Sequence, residues 1–139
     1  MPGESNQLPT TGHLDLFGPN TTFHHVGLVV ADIDAASPGI EKVHDPIQRV
    51  CVAFLDLHGA VVELIQPAGE KSPVAANLAK GQKLVHLCYC VPRLEEAIVH
   101  AQKMECRQLS EPAPAVAFNG RRIVWLYHPT YGLIELLEN

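Results

Sequence analysis

Residues 25–30 (HVGLVV), followed by residues 32–36 (DIDAA), decide the fold because the chain contains a second, imperfect copy of this segment. The second copy is residues 86–91 (HLCYCV), followed by residues 93–97 (RLEEA). Each copy joins an apolar stretch to a polar, acidic segment, which is typical of a strand that leads into a helix. A duplication of this kind predicts two structurally similar modules in one domain.

The ends of the two copies also match, since residues 62–65 (VELI) correspond to residues 134–137 (IELL). Glu63 follows His25 by 38 residues, whereas the second copy needs 49 residues between the matching positions. The missing 11 residues fall mainly where the second copy has its amphipathic helix. Turn and strand signals predict the order β, α, β, β, β twice. We therefore predict an α+β fold of two tandem βαβββ modules, the first with a shortened helix.

Composition and turn signals divide the chain into a flexible N-terminal extension, residues 1–21, and one domain, residues 22–139. Ser72 and Gly81 are the predicted N-cap and C-terminal stop of a short helix between the modules. Module 1, the linking helix and module 2 are predicted over about residues 22–67, 72–80 and 83–139.

The composition excludes several classes of protein. A chain of 139 residues with 47% hydrophobic and 18% charged residues can bury a core, so it is not a disordered protein. The net charge of −5 argues against a nucleic-acid partner, because no basic field is present to neutralise phosphates. No apolar run is long enough to cross a membrane, and the first residues lack the features of a secretory signal. We expect a cytoplasmic protein with four free thiols.

Four residues are the candidates for chemistry. His25 and His86 lie in the first strands of the two modules, and Glu63 and Glu135 lie in the last strands. If each module curls into a half-open sheet, the two imidazoles and two carboxylates can meet in one concavity. Nitrogen and oxygen donors of this kind suit one divalent ion of Zn, Co, Ni or Mn, with positions left for a substrate. A single histidine or glutamate would favour a structural role, but repetition at matched positions favours a metal site.

The other histidines and the cysteines are expected to have structural roles. Strand alternation places His24 on the face opposite to His25. Cys88 and Cys90 share the face of His86 and are expected to fill the pocket, because a CxC pair alone is a weak zinc signal. The remaining histidines fall in the tail, a loop, a turn, a helix surface and a strand end: His13, His44, His58, His100 and His128.

The same residues carry a resemblance to the vicinal oxygen chelate (glyoxalase/bleomycin resistance/dioxygenase) superfamily, and within it to the methylmalonyl-CoA epimerases. The matching segments are FHHVGLVVADI (23–33), VELIQPAGEKSPVAANLAKG (62–81), LVHLCYCVPRLEEAI (84–98), GRRIVWLYHP (120–129) and GLIELLE (132–138). The resemblance implies a cupped mixed sheet around one divalent metal. It also implies metal ligands at His25, Glu63, His86 and Glu135.

In that superfamily the metal chelates two substrate oxygens and stabilises an enolate or oxyanion. The resemblance therefore implies a metal-dependent isomerase or epimerase for a small acyl substrate, such as the CoA thioester methylmalonyl-CoA. We expect Glu135 to be the main proton-transfer group and Glu63 to act chiefly as a ligand with a catalytic contribution. Ile47 stands where the epimerases carry an acidic residue, with His44 and Asp45 nearby.

Two other functions are compatible with these residues. A glyoxalase I-type lyase acting on a glutathione hemithioacetal has the same histidines and glutamates. A non-catalytic small-molecule binding protein has the same fold but generally lacks the four ligands. Basic residues would serve either glutathione or the phosphates of coenzyme A: Lys80, Lys83, Arg121 and Arg122.

A homodimer is the expected assembly. The shortened first helix leaves apolar residues of the first strand to be covered, namely Val26, Leu28 and Val30. Superfamily members are also commonly paired. The expected partners are therefore a small-molecule substrate and a second copy of the chain.

Overall fold

The computed structural model describes residues 8–139, in which the strands of one mixed β-sheet lie between Thr22 and Glu138. The first module and the linking helix comprise β1 (Thr22–Val29), α1 (Ile33–Ala36), β2 (Val43–Asp45), β3 (Val50–Leu57), β4 (Ala60–Pro67) and α2 (Ala75–Ala79). The second comprises β5 (Leu84–Val91), α3 (Leu94–Lys103), β6 (Arg107–Gln108), β7 (Ala113–Pro114), a 3-10 turn (Val116–Phe118), β8 (Arg122–His128) and β9 (Gly132–Glu138).

The strand order is β2-β3-β4-β1-β5-β9-β8-β6, with β7 paired to β8. The first and last strands of each module are parallel neighbours, β1 with β4 and β5 with β9. The antiparallel pair β1–β5 joins the two modules at the centre of the sheet. The predicted α+β fold of two βαβββ modules is confirmed, and the second module has β7 in addition.

Helices α1 and α3 occupy matching places in the two modules but cover very different amounts of the sheet. In α3 the residues at helical spacing are buried against β5, β8 and β9, as their periodicity predicts: Leu94, Ala97, Ile98 and Ala101. In the first module α1 is a single turn capped by the side chain of Asp32. Only Ile33 of that turn is buried, against Ala53, Val62 and Leu64. The shortened first helix is thus confirmed.

The chain before β1 packs on the second module around Phe17. The Phe17 ring is 6% exposed and lies 5.3 Å from the Tyr89 ring, in the same cluster as the buried face of α3. Asp15 Oδ1 accepts the backbone N–H groups of Phe17 and Gly18, which forms the turn that directs this ring inward. Residues 1–7 of the predicted extension lie outside the described residues.

Helix α2 lies inside the predicted range 72–80 but begins later than expected. The expectation that Ser72 is its N-cap is wrong, because Val74 occupies that position without a side-chain hydrogen bond. A turn precedes the helix, in which the Ser72 carbonyl accepts the N–H of Ala75. Gly81, with φ +71°, follows the helix as predicted. Among the described residues no helix has the length and apolar character needed to cross a membrane.

Candidate metal centre

The register of β1 and β5 places the two histidines symmetrically. His25 lies opposite Cys88, and Gly27 lies opposite His86. Each histidine therefore faces the residue two positions beyond the other histidine, as expected for two strands related by a local twofold axis. Residues two apart share a face of a strand, so all four residues lie on one side of the sheet.

The parallel pairs bring the glutamates to the same place. Glu63 of β4 is paired with Gly27, and Glu135 of β9 is paired with Cys88. Each glutamate thus lies beside the residue that follows a histidine by two positions. The duplication in the sequence becomes a duplication in space, and the side chains of both modules meet at the centre of the cup.

His25, Glu63, His86 and Glu135 form one buried His/Glu cluster. The two Nε2 atoms are 3.2 Å apart. Each of them lies 3.4 Å from Glu63 Oε1 and 3.3 Å from Glu135 Oε1. The structure therefore brings together all four residues that the sequence selected, and none is more than 6% exposed.

These distances fit a divalent cation. Each Nε2 is almost equidistant from both carboxylates instead of making one short hydrogen bond. Glu135 Oε1 is buried and has no hydrogen-bond partner among the described residues. Nitrogen and oxygen ligands at about 2.0–2.1 Å from a tetrahedral ion lie about 3.3 Å from one another. The donor set and its spacing can accordingly hold an ion such as Zn²⁺.

The cluster is electrostatically coupled. Burial lowers the pKa of His86, but contacts with Glu135 and Glu63 outweigh burial and raise that pKa to about 9. Burial also lowers the pKa of His25, but contacts with the same two carboxylates outweigh burial and raise that pKa. Burial raises the pKa of Glu135, whereas its contacts with both imidazoles lower it, and the net shift is downward. Positive charge on the imidazoles, or a bound cation, is what allows two carboxylates to be buried side by side.

A second group of potential ligands consists of His24, His25 and Cys88. Burial, and then the nearby Glu135 charge, raise the pKa of the Cys88 thiol above its usual range. That shift holds for the metal-free protein, since a bound cation lowers the pKa of a coordinating thiol. The His/Glu cluster is the better candidate because it offers four ligands, all of them buried, whereas this group offers three, of which His24 is only half-buried.

The position of His24 differs from the expectation. Strand alternation predicted it on the face opposite to His25, and this is wrong. His24 Nδ1 lies 2.7 Å from His25 Nδ1, and the His24 ring meets the Phe118 ring edge-on at 5.5 Å. The reason is a β-bulge, in which Phe23 and His25 are paired with consecutive residues of β5 and His24 is the extra residue.

A cavity of about 340 Å³ lies against the cluster and includes Glu63, His86 and Glu135 in its wall. Most of the wall is apolar and includes valine and isoleucine from β3 and β4 together with Phe118 and Trp125. Such a volume is within the usual range for a small-molecule pocket, about 300–1,000 Å³.

Several polar residues of the cavity wall had no role assigned to them in the sequence analysis. Trp125 Nε1 donates to Gln48 Oε1 at 3.1 Å, and the Trp125 ring meets the His86 ring edge-on at 4.8 Å. Asn77 and Ser110 also line the cavity. The one sequence signal in this group lay at Ile47, the neighbour of Gln48, since the other contacts join distant parts of the chain.

His44, Asp45 and Ile47 are close in the sequence but differ in burial. Ile47 is 53% exposed and His44 is exposed, whereas Asp45 is buried and lines the cavity. Asp45 Oδ1 accepts the backbone N–H groups of Ile47 and Gln48, each at 3.0 Å. Asp45 is thus the carboxylate that this segment contributes to the cavity wall.

The two arginines at the end of the 3-10 turn have different surroundings. Arg121 is exposed, and its guanidinium lies over the Phe118 ring at 5.7 Å, beside the cavity. Arg122 is held by Glu95 at 2.7 Å and by Glu138 at 3.0 Å. Of this pair, Arg121 is the cation placed to meet a ligand that extends out of the cavity. Lys80 and Lys83 are exposed near the end of α2.

The five remaining histidines are away from the cavity wall. His128 Nδ1 accepts the N–H of Thr130 in the β8–β9 turn, and His100 lies near Asp15. The other three, His13, His44 and His58, are exposed. These positions agree with the roles expected from the sequence.

Comparison with known families identifies the fold. The family model described as Glyoxalase/Bleomycin resistance protein/Dioxygenase superfamily matches residues 24–125. The chain belongs to this superfamily. The match begins at the bulged histidine and ends at Trp125, so it covers nearly all of the first module and the second module as far as the middle of β8.

Relatives of this superfamily member include human mitochondrial methylmalonyl-CoA epimerase, which is 29% identical over 126 residues that cover 81% of this chain and 71% of the human protein. The crystal structure of methylmalonyl-CoA epimerase from Mycobacterium tuberculosis is 27% identical, with a TM-score of 0.68 over 97% of this chain and 94% of that one. A methylmalonyl-CoA epimerase in complex with methylmalonyl-CoA and NH4+ is 26% identical, with a TM-score of 0.69 over 86% and 94%. The resemblance seen in the sequence is confirmed.

Proposed function

We propose that the protein is an acyl-CoA epimerase that acts on a small, branched acyl thioester of the methylmalonyl-CoA kind and depends on one divalent metal. The observation that carries the proposal is the buried His/Glu cluster beside an apolar cavity. The similarity to methylmalonyl-CoA epimerases, one of them solved with methylmalonyl-CoA, supports the substrate class.

The proposed metal ligands are His25, Glu63, His86 and Glu135. Their nitrogen and oxygen donors are compatible with Zn, Co, Ni or Mn. When bound, a divalent ion supplies a Lewis acid that polarises a substrate oxygen and so acidifies the adjacent C–H group. The remaining chemistry falls to the residues of the chain.

Epimerisation removes the proton from the carbon next to the thioester and returns a proton to the opposite face. We propose that Glu135 accepts this proton while the C–H electron pair delocalises into the thioester carbonyl. The electron pair then returns to the carbon, which takes a proton from Glu63 or from solvent on the other face. Glu135 lies on β9 between β5 and β8, so its backbone is paired on both sides. Glu63 occupies the matching position on β4 and is proposed to act chiefly as a ligand, with a smaller part in proton transfer.

The cavity favours a substrate of which only the reactive end is enclosed. Its 340 Å³ can hold a short branched acyl group with its thioester, and its wall offers apolar contacts for such a group. A coenzyme A tail would then leave past Phe118, where Arg121 can meet its phosphates. A single contact between Arg121 and a phosphate would orient the coenzyme A tail while leaving it outside the cavity.

The proposal is tested with a panel of acyl-CoA thioesters and glutathione hemithioacetals in D2O, with Zn²⁺, Co²⁺, Ni²⁺ or Mn²⁺ added. We expect deuterium at the acidic carbon of methylmalonyl-CoA, together with interconversion of its two epimers, and loss of both after His86→Ala. The control Cys88→Ala should retain both. Turnover of a hemithioacetal without exchange of any CoA thioester would favour the lyase, and metal-independent ligand binding without turnover would favour a binding protein.

A further inference from the structure

The central strand pair contains two irregularities that are related by the local twofold axis. His24 is the extra residue between the pairs Phe23–Tyr89 and His25–Cys88. Val85 is the extra residue between the pairs Gly27–His86 and Leu28–Leu84. Each bulge therefore immediately precedes one histidine of the His/Glu cluster. A bulge turns its extra side chain away from strict alternation, and bulges are enriched next to functional sites.

The two bulges present different side chains near the cluster. Val85 lines the cavity and can make only apolar contacts. His24 stands beside His25 instead, with the two Nδ1 atoms 2.7 Å apart. The Phe118 ring lies against both imidazoles, edge-on to His24 at 5.5 Å and stacked on His25 at 6.0 Å. The first module thus has a polar contact to its histidine that the second module lacks at the same place.

The chemistry of the two rings determines which one donates. His25 Nε2 faces the other members of the cluster at 3.2–3.4 Å. A histidine that binds a cation through Nε2 must have its lone pair there, so its proton is on Nδ1. That Nδ1–H then donates to His24 Nδ1, and His24 must have its own proton on Nε2.

We propose that His24 is a positioning residue, whose Nδ1 accepts the Nδ1–H of His25 and holds the His25 ring with its Nε2 lone pair toward the centre of the His/Glu cluster. This role rests on the proposed metal centre. Metal-ligating histidines usually donate their second ring N–H to a carboxylate, a carbonyl or water, and this contact fixes the tautomer and the ring orientation. Here a neighbouring imidazole takes the place of those acceptors.

The first test measures metal affinity instead of turnover. Metal-free parent protein, His24→Phe, His24→Asn and the control His44→Phe are titrated with Zn²⁺ against a competing chelator. We expect His24→Phe to bind Zn²⁺ about 10–100-fold more weakly, because losing such a partner has this effect at other metal sites. His24→Asn, which keeps an acceptor oxygen, should recover part of the affinity. His44→Phe, exposed on β2, should match the parent.

A second measurement needs no substitution and decides the question if His24→Phe fails to fold. Long-range ¹H–¹⁵N spectra of the Zn²⁺-loaded parent should show His24 protonated at Nε2 and His25 at Nδ1. A proton on His24 Nδ1, or a folded His24→Phe protein with parental Zn²⁺ affinity, would overturn the role of His24 alone. A parent protein that binds no Zn²⁺, Co²⁺, Ni²⁺ or Mn²⁺ would overturn the metal centre and this role with it.

Discussion

The His86 imidazole lies directly against the Cα of Gly27. A Cβ atom on residue 27 would lie 2.3 Å from His86 Cε1 and 2.4 Å from Nδ1, far inside van der Waals contact. The two residues are register partners on β5 and β1, so the absence of a side chain on one strand creates the space for the ring on the other. Gly27 is thus part of the geometry that directs His86 Nε2 toward the two carboxylates.

We predict that Gly27→Ala displaces His86 and lowers Zn²⁺ affinity by about 10-fold or more, since ligand geometry must be kept within about 0.5 Å. The measurement is the same chelator competition, with near-UV circular dichroism to verify the fold. Gly12→Ala is the control, because nothing lies within 4 Å of its Cβ position. Parental affinity in a folded Gly27→Ala protein would show that the His86 ring has another acceptable position.

The two glutamates should respond differently to removal of their basicity. Glu135→Gln keeps an oxygen donor and should retain metal, but solvent deuterium exchange into the substrate should fall by about 10²-fold or more, the usual contribution of a general base. Glu63→Gln should lose much less. Bound metal is measured by elemental analysis beside the exchange rate. Exchange at the parental rate in both metal-loaded variants would exclude these carboxylates as the base.

Replacing Arg121 should affect recognition of coenzyme A and not the chemical step. Arg121→Gln is expected to raise KM for a CoA thioester about fivefold with little change in kcat, since an exposed charge contact contributes about 1 kcal/mol. The effect should shrink as salt is added. The matched control is Arg122→Gln, whose parent side chain is held by Glu95 and Glu138. A pantetheine thioester, which lacks the nucleotide phosphates, should not distinguish the variants. An equal change with that thioester would place the phosphates elsewhere.

The segment before β1 should contribute to stability through Phe17. Truncating this buried ring in Phe17→Ala should lower the free energy of unfolding by about 3 kcal/mol, measured by urea denaturation. Phe23→Ala is the control, because Phe23 is 51% exposed and packs against Tyr89 only at its edge. If both variants unfold at the same urea concentration as the parent, the packing around Phe17 adds nothing to stability.

The expected homodimer is tested by sedimentation equilibrium at micromolar concentration. Leu28 and Val30 of the first module are only half-buried, and Leu57 at the β3–β4 turn is exposed. Covering this apolar surface with a second copy should give a species of twice the 15.2 kDa chain mass. The sedimentation of a single chain at this concentration would contradict the expectation.

The sequence by itself determined the features that depend on short-range pattern. The repeated strand-to-helix segment predicted two modules, and the missing residues predicted the single turn of α1. Periodicity identified the buried face of α3. The His/Glu cluster could also be selected from the residues alone, because equivalent positions in a duplicated module must occupy equivalent positions in space.

Only the tertiary structure decided the contacts between residues that are distant in the chain. The hydrogen bond from Trp125 to Gln48 joins two residues of the cavity wall, and the register of β1 against β5 places His86 over Gly27. Even His24 was misplaced by alternation, because a bulge arises when two strands pair and leaves no mark on either strand alone. Strand register depends on which strands pair, and the local sequence of one strand does not specify its partner. The residues that surround a metal-binding side chain are therefore determined by the folded sheet.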